Sequence, residues 1–226
     1  MNRSFFPSIA CFTLVAILVP GIVSQSFAQA ADDADDWEDN SLPLFDGETV
    51  AGWEGNAYWF RIEDGSLVAG RLNEEIPHNE FLCTTQNYDD FELRFEAKLV
   101  GEGNNAGVQF RSKRIPKSTE VSGYQADIGE AWDRPVWGAL YDESRRRKML
   151  AEPDPELARK AVKSGQWNKM RVICKGAHIQ IFVNGQQTVD YTETDESIPK
   201  FGVIGLQIHS GKPTEAWYRN VRISQL

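Results

Sequence analysis

Strict alternation of apolar and polar residues is the feature that most limits what this chain can fold into. In FELRFEAKL, residues 91–99, every second residue is apolar and the residues between are charged. Successive side chains of a β-strand point to opposite faces, so this pattern predicts a strand with one buried and one exposed face. Similar runs follow one another from Leu42 to the end of the chain. The sequence therefore predicts an all-β domain.

Turn signals separate the alternating runs and predict antiparallel hairpins. An Asn-Gly or Asp-Gly pair suits a tight hairpin, because a type I′ turn needs positive φ at both central residues. Pairs of this kind predict turns at Asp64-Gly65 and Asn184-Gly185, and Lys175-Gly176 is a further turn signal between two strands. Many short strands joined in this way favour a two-sheet antiparallel sandwich.

One stretch departs from the strand pattern. DPELARKAV, residues 154–162, begins with an aspartate that can cap a helix, continues with a proline and then has good helix formers. We therefore expect one short helix there, on an insertion that runs from about residue 142 to residue 165.

The first thirty residues have the form of a secretion signal. Arg3 precedes the apolar run IACFTLVAILVPGIV, and AQA at residues 28–30 is an A-x-A cleavage site. We expect export to the periplasm or the exterior, with no membrane span after cleavage. Residues 31–41 would then be an acidic tether, and residues 42–226 a single domain.

Charge and motifs exclude several function classes. The formal net charge is −9, so the chain lacks the basic surface that nucleic acid requires. The sequence holds no CxxC pair and no HExxH, GxSxG or P-loop pattern. Cys83 and Cys174 could pair in an oxidising compartment, but each lies in a strand-like run and we expect two buried free thiols. The sequence leaves the oligomeric state open.

Planar polar side chains recur on one face of three predicted strands. They alternate with apolar residues such as Val108 and Phe110, so they should share one face. Amides, carboxylates and guanidinium groups suit the paired hydroxyls of a sugar, and an imidazole exchanges protons near neutral pH. We predict that one concave pocket brings together Gln109, Arg111, Gln125, Asp127, Gln207 and His209, with Tyr141 at a strand end. A solvated outer face is the alternative interpretation.

Two tryptophans flank Pro135 in a loop beside this predicted face. Trp132 and Trp137 could stack on a sugar ring, or they could pack in the core. The sequence leaves both possibilities open.

Several segments together resemble one enzyme family. LPLFDGETVAGWEG, GNNAGVQFRS, GYQADIG, WGALYDESRR and GVIGLQIHSGKPTEAWYRNVRI occur in this order. They resemble the 3-keto-disaccharide hydrolases, also described as 3-keto-glucoside-1,2-lyases and 3-keto-2-hydroxy-glucal hydratases, over residues 42–226. The resemblance implies a concanavalin A-like jelly roll. It also implies cleavage of a small sugar substrate already oxidised at C3, by elimination across C1 and C2 or by hydration of the resulting glucal.

The resemblance also implies roles for the polar residues. The base that takes the C2 proton would be His209, with Asp127 as the second candidate. Arg111 or Tyr141 would stabilise the enolate, and Tyr141 or Glu215 would protonate the leaving oxygen. Substrate hydroxyls would be held by Asn105, Gln109, Gln125 and Gln207, and the sugar ring by Trp137.

A metal is a further possibility. A divalent ion would polarise the ketone, and His209, Asp127 and Glu215 offer a mixed nitrogen and oxygen ligand set. Nothing in their spacing requires such an ion, so no cofactor is predicted with certainty.

One departure bears on function. Much of the family has glutamate-x-glutamine where this chain has Gln125-x-Asp127, which moves the negative charge two residues along the same face. Many jelly-roll domains bind glycans without chemistry, so a non-catalytic, lectin-like carbohydrate-binding module is the alternative hypothesis to an enzyme, and a structural envelope domain is the third.

Overall fold

The computed structural model describes Met1 and residues 40–226. The predicted signal peptide and most of the acidic tether lie outside the described residues. Residues 40–226 form sixteen strands and the helix α1 (Pro155–Ala161). The strands are β1 (Leu42–Pro43), β2 (Trp53–Glu54), β3 (Phe60–Glu63), β4 (Ser66–Arg71), β5 (Glu80–Thr84), β6 (Phe91–Gly101), β7 (Asn105–Arg114), β8 (Val121–Ala131), β9 (Arg134–Pro135), β10 (Leu140–Glu143), β11 (Lys148–Ala151), β12 (Asn168–Lys175), β13 (His178–Val183), β14 (Gln186–Thr192), β15 (Val203–Ile208) and β16 (Thr214–Gln225).

These strands form two antiparallel sheets. The back sheet has the order β14-β13-β12-β6-β16-β4-β3, with β1 paired to β16. The front sheet has the order β11-β10-β8-β7-β15-β5-β2, with β9 paired to β8. Consecutive strands β15 and β16 lie in different sheets, so the chain crosses between the layers. The predicted two-sheet antiparallel sandwich is confirmed.

The core lies between the two sheets and follows the alternation of the sequence. Phe91, Leu93 and Phe95 of β6 are buried against apolar residues of the front sheet, which include Val108 and Leu206. A polar contact also crosses this core, where the Tyr218 hydroxyl donates to the Gln207 carbonyl oxygen at 2.6 Å. The inner faces of both sheets are therefore fixed, and where the strands are regular the intervening residues point outward.

The three predicted hairpins and the helix are confirmed. Asn184 and Gly185 have φ values of 48° and 82°, as a tight hairpin turn requires. Asp64-Gly65 also joins paired strands. The β12–β13 hairpin turns at Gly176-Ala177, one residue later than predicted, because Lys175 still pairs with His178. The Asp154 carboxylate caps α1, because it accepts hydrogen bonds from the backbone N–H groups of Glu156 at 2.9 Å and Leu157 at 3.1 Å.

The two cysteines are buried and free, as expected. Burial raises the pKa of each thiol to about 12, so both stay protonated and unreactive. Within the described part of the chain, no helix has the length and apolar character needed to cross a bilayer.

Candidate functional site

The outer face of the front sheet, the side turned away from the core, carries a buried polar surface that we call the site face. Cross-strand pairing places Tyr141 of β10 beside Gln125 of β8, and Gln125 beside Gln109 of β7. In the next row, Asp127 pairs with Gly107, and Gly107 pairs with Gln207 of β15. Cross-strand partners lie on the same face of a sheet. The structure therefore brings together the polar residues of three strands, as the sequence pattern predicts.

A chain of hydrogen bonds orders the centre of the site face. The Ser112 hydroxyl donates to Gln109 Oε1 at 2.8 Å, and Gln109 Nε2 donates to Gln125 Oε1 at 2.7 Å. Gln125 Nε2 then donates to Asp127 Oδ1 at 2.7 Å. All four side chains are buried. We call this chain the amide relay, and it fixes the position of the Asp127 carboxyl group.

The Asp127 carboxyl group carries a proton at neutral pH. Burial raises its pKa from 3.8 to about 8, and the charges of Glu143 and Glu152 act in the same direction. The hydrogen bond from Gln125 opposes this shift without reversing it. A carboxylic acid held neutral in this way can donate a proton or a hydrogen bond to a ligand.

Gln207 presents an amide without a partner. Its side chain is fully buried, and neither Nε2 nor Oε1 has a hydrogen-bond partner among the described residues. Leaving a buried polar group unsatisfied costs on the order of 1–3 kcal/mol. A polar ligand group at the site face would recover this free energy.

Gly107 is required between Asp127 and Gln207, because the Gln125 side chain leans across it. A Cβ atom at position 107 would lie 2.5 Å from Gln125 Cδ, which is closer than packing allows. Glycine therefore permits the geometry of the amide relay.

The tip of the β7–β8 hairpin folds over part of the site face. Val121 packs with Phe81 and Cys83 on the outer side of β5. Arg114 Nη2 donates to the Phe81 carbonyl oxygen at 3.1 Å. Glu120 Oε1 accepts from Asn79 Nδ2 at 3.2 Å, and the tip therefore walls one side of the site.

Arg111 does not lie on the site face, and the prediction that placed it there is wrong. The pairing of β7 with β8 shifts register between Phe110 and Lys113, and Arg111 adopts a φ of 46°. This bulge turns the side chain toward the back sheet. There it donates to the carbonyl oxygens of Asp89 and Gly176, both at 2.7 Å, and to Asp90 Oδ1 at 2.8 Å.

Glu215 is also placed away from the site face. It belongs to β16 of the back sheet, whose neighbouring residue Ala216 points into the core. The Glu215 carboxylate accepts from Arg61 Nη2 at 2.6 Å and from Trp217 Nε1 at 3.0 Å. The expected roles of Glu215 as an acid and as a metal ligand with His209 and Asp127 are therefore wrong. Over residues 40–226, no group of three or more histidine, cysteine, aspartate or glutamate side chains is arranged to hold a metal ion.

Of the remaining predicted residues, His209 and Asn105 lie at the edges of the site face and Trp137 does not. His209 follows β15 two positions after Gln207, and its Nδ1 is 2.8 Å from the Ser210 carbonyl oxygen. Asn105 begins β7, and its side chain donates to the Glu130 carbonyl oxygen at 2.7 Å. Trp137 is buried in the hydrophobic core, so of its two predicted roles the structure shows core packing.

Comparison with known proteins defines the family. Residues 40–224 match the family described as the 3-keto-alpha-glucoside-1,2-lyase-like domain. The chain belongs to this family. It is also 21% identical over 235 residues to a protein named 3-keto-disaccharide hydrolase from Bacteroides thetaiotaomicron, covering 83% of this chain and 79% of that protein.

Two solved structures share the fold. A protein from Parabacteroides distasonis ATCC 8503 superposes with a TM-score of 0.61 at 24% identity, covering 82% of this chain and 99% of the other. The carbohydrate-binding module CBM66 from Bacillus subtilis gives a TM-score of 0.55 at 14% identity, covering 77% and 96%. The fold is a concanavalin A-like jelly-roll sandwich.

Sequence reasoning missed two carboxyl groups of this lyase-like domain. Glu143 lies two residues after Tyr141 on β10, so period-two alternation could have placed both on one face. Burial raises the pKa of Glu143, with the charge of Glu120 adding to the shift and the Ser144 hydrogen bonds and His209 opposing it. Glu120 lies on the folded-over hairpin tip, a position that no local pattern indicates.

Buried ion pairs hold β10 beside the site face. Asp142 is fully buried on the opposite side of β10 from Tyr141, and it pairs with Arg145 at 2.8 Å and with Arg146. Arg146 also pairs with Glu193 at 2.6 Å. Part of the RRRK run therefore anchors the strand that carries Tyr141 and Glu143.

Proposed function

We propose that this chain cleaves 3-keto glycosides at the site face, by elimination across C1 and C2 followed by hydration. The observation that carries the proposal is the buried Asp127 carboxylic acid, which is positioned by the amide relay on the same face as the unpartnered Gln207 amide. Membership of the 3-keto-alpha-glucoside-1,2-lyase-like family supports it, as does the relative named 3-keto-disaccharide hydrolase.

The first half-reaction needs a base and an acid. The C3 ketone acidifies the hydrogen on C2, and His209 takes that proton as an enolate forms. The enolate then restores the ketone, a C1–C2 double bond forms and the bond from C1 to the glycosidic oxygen breaks. Asp127 gives its proton to the departing oxygen. The products are an alcohol and a 3-keto-2-hydroxy-glucal.

The second half-reaction reverses these proton transfers. Water adds its oxygen to C1 while the Asp127 carboxylate accepts the released proton. The protonated His209 returns a proton to C2, so both side chains recover their starting states. The sum of the two halves is hydrolysis of the glycoside.

The other residues of the site face position the reacting groups. The Gln207 amide would donate to the oxygen that gains charge in the enolate, where a preorganised donor lowers the barrier. Tyr141 suits hydrogen bonding rather than proton transfer, because burial raises the pKa of its hydroxyl further above neutrality. The predicted signal peptide would place the reaction in the periplasm or outside the cell.

A non-catalytic carbohydrate-binding module is the second candidate. The exposed ring of Trp132 beside Tyr141 favours it, because stacking on a sugar ring needs no proton transfer.

Turnover measurements separate the two candidates. The full chain is incubated with a panel of 3-keto glycosides and their unoxidised counterparts, with added divalent metal and with chelator, and the released alcohol is quantified. We expect release from the 3-keto compounds alone, and a loss of about 100- to 10,000-fold in kcat in Asp127→Asn and His209→Ala. Asp64→Asn, in an exposed turn, is the matched control and should retain full activity. Sugar binding without release from any 3-keto glycoside would favour the binding module.

A further inference from the structure

Trp132 is a large apolar side chain held in solvent at the rim of the site face. It is 64% exposed, although an indole of this size usually buries most of its surface. Its ring centroid lies 6.2 Å from that of Tyr141, with the two planes inclined by 50°. The two rings therefore form a continuous aromatic surface.

The turn that carries Trp132 does not itself call for an aromatic residue. Trp132 and Asp133 link β8 to β9, and both have left-handed backbones, with φ values of 49° and 59°. Two-residue hairpin turns of this kind favour asparagine and glycine, because other residues are strained there. Because tryptophan is strained at this position, we infer that the indole has a role other than forming the turn.

The aromatic surface lies on the side of Asp127 where the leaving group would extend. Tyr141 pairs with Gln125, whose amide holds Asp127. Burial raises the pKa of Tyr141, and the charge of Glu143 and then that of Asp127 add to the shift. Gln207 lies on the other side of Asp127, across Gly107. In the proposed reaction, Gln207 binds the oxygen that gains charge in the enolate and Asp127 protonates the leaving oxygen. The leaving group therefore extends from Asp127 away from Gln207 and toward Tyr141.

We propose that Trp132 and Tyr141 form a leaving-group subsite that stacks against an uncharged ring of the substrate. This inference rests on the proposed function, and it assigns the residues that would bind a ring-shaped leaving group. A phenol and a second sugar both present a flat or nearly flat apolar face, and either could stack on these two side chains.

Charge near the subsite agrees with an uncharged ring. The Arg134 guanidinium lies 5.6 Å from the centroid of the Trp132 ring. Glu152 pairs with it, through a contact of 3.0 Å between Arg134 Nη2 and Glu152 Oε1 among others, so a carboxylate already neutralises this guanidinium. An anionic leaving group would have to compete with Glu152 for Arg134.

The test uses three 3-keto glucosides that differ only in the leaving group, which is methanol, a nitrophenol or glucose. For Trp132→Ala we expect kcat/KM to fall about 10-fold on a ring-bearing substrate, chiefly through KM, and to stay within about twofold on the methyl glycoside. Trp132→Phe should restore most of the loss. Tyr58→Ala removes another exposed aromatic side chain, 51% exposed, and should leave all three substrates unaffected.

The outcomes are distinct. A selective loss on the nitrophenyl compound, on the disaccharide or on both supports the subsite and identifies which ring it accepts. An equal loss on all three substrates, or no loss on any, overturns it. If the wild-type protein turns over none of them, the proposed function fails. The subsite is then decided by calorimetric affinities of the three unoxidised glucosides, where only a selective loss in Trp132→Ala supports it.

Discussion

At the scale of single residues, Asp127 is the carboxyl group of the site face whose pKa lies far above its value in water. Its pKa of about 8 follows from burial, and an acid catalyst must be protonated at the start of the reaction. We therefore predict that kcat/KM falls as pH rises through about 8. The measurement is a pH–rate profile from pH 5 to pH 10. A profile that is flat to pH 10 would remove Asp127 as the acid.

Arg111 leads to a prediction about stability rather than chemistry. Its side chain is 1% exposed and ties β7 to the back sheet through three hydrogen bonds. Arg111→Ala removes these three hydrogen bonds and empties the buried space that the guanidinium fills, so we expect the free energy of unfolding to fall by roughly 3 kcal/mol. Lys113→Ala, exposed on the same strand, should change it by less than about 0.5 kcal/mol. Urea unfolding measures both. A fully stable Arg111→Ala variant that had lost turnover would return Arg111 to catalysis.

Residue-level prediction from the sequence succeeded where strands are regular. Alternation placed Gln109, Gln125, Asp127 and Gln207 on one face, because side-chain direction has period two. It failed at Arg111, since an arginine gives no signal that the backbone will adopt positive φ at a bulge. It failed at Glu215 for another reason: alternation assigns a face of a strand but does not assign the strand to a sheet.

At the scale of elements, the packing of Gly107 against Gln125 controls the amide relay. A methyl group at position 107 would displace Gln125 and remove the hydrogen bond that lowers the pKa of Asp127. We predict that Gly107→Ala lowers kcat about 10-fold, as expected when a positioning group is displaced. The alkaline limb of the pH–rate profile should also move to higher pH.

A double-mutant cycle tests whether Gly107 acts through Gln125. Gln125→Ala alone should reproduce the loss, and the double variant should be no worse than Gln125→Ala. Additive losses in the double variant would show that Gly107→Ala acts by another route, such as a general disturbance of β7.

The sequence predicted which elements form better than how they pack. The hairpin turns and α1 appeared as expected, because turn chemistry and helix capping are local. The folding of the β7–β8 tip over β5 depends on contacts of Val121 and Arg114 with distant strands. Glu120 was therefore missed as part of the site wall.

At the scale of the whole molecule, the two sheets divide stability and function between them. The back sheet completes the core, whereas the front sheet carries an unpartnered amide and a buried carboxylic acid on its outer face. Both features cost folding free energy, which is commonly the case at functional sites. The dependence of stability on pH should therefore report on the site face.

The sign of that dependence follows from Asp127. Its pKa rises from 3.8 to about 8 on folding, so between these values the folded state binds more protons than the unfolded state. Stability due to this group is fully present below about pH 4 and is lost as pH rises toward 8. Glu193 acts oppositely at lower pH: burial alone would raise its pKa, but the Arg146 hydrogen bond and other partners lower it to about 2, so its contribution is lost in acid.

Asp127→Asn isolates this contribution, because asparagine keeps the side-chain shape and the oxygen that accepts from Gln125. We predict that the variant gains stability relative to wild type as pH rises from 5 to 8.5, since it has no carboxyl group to ionise. Urea unfolding at the two pH values gives the difference, with Asp64→Asn as the exposed control that should follow wild type. If wild type and Asp127→Asn change in parallel, Asp127 titrates as an ordinary solvated carboxylate, and the site face then lacks the acid on which the proposed reaction depends.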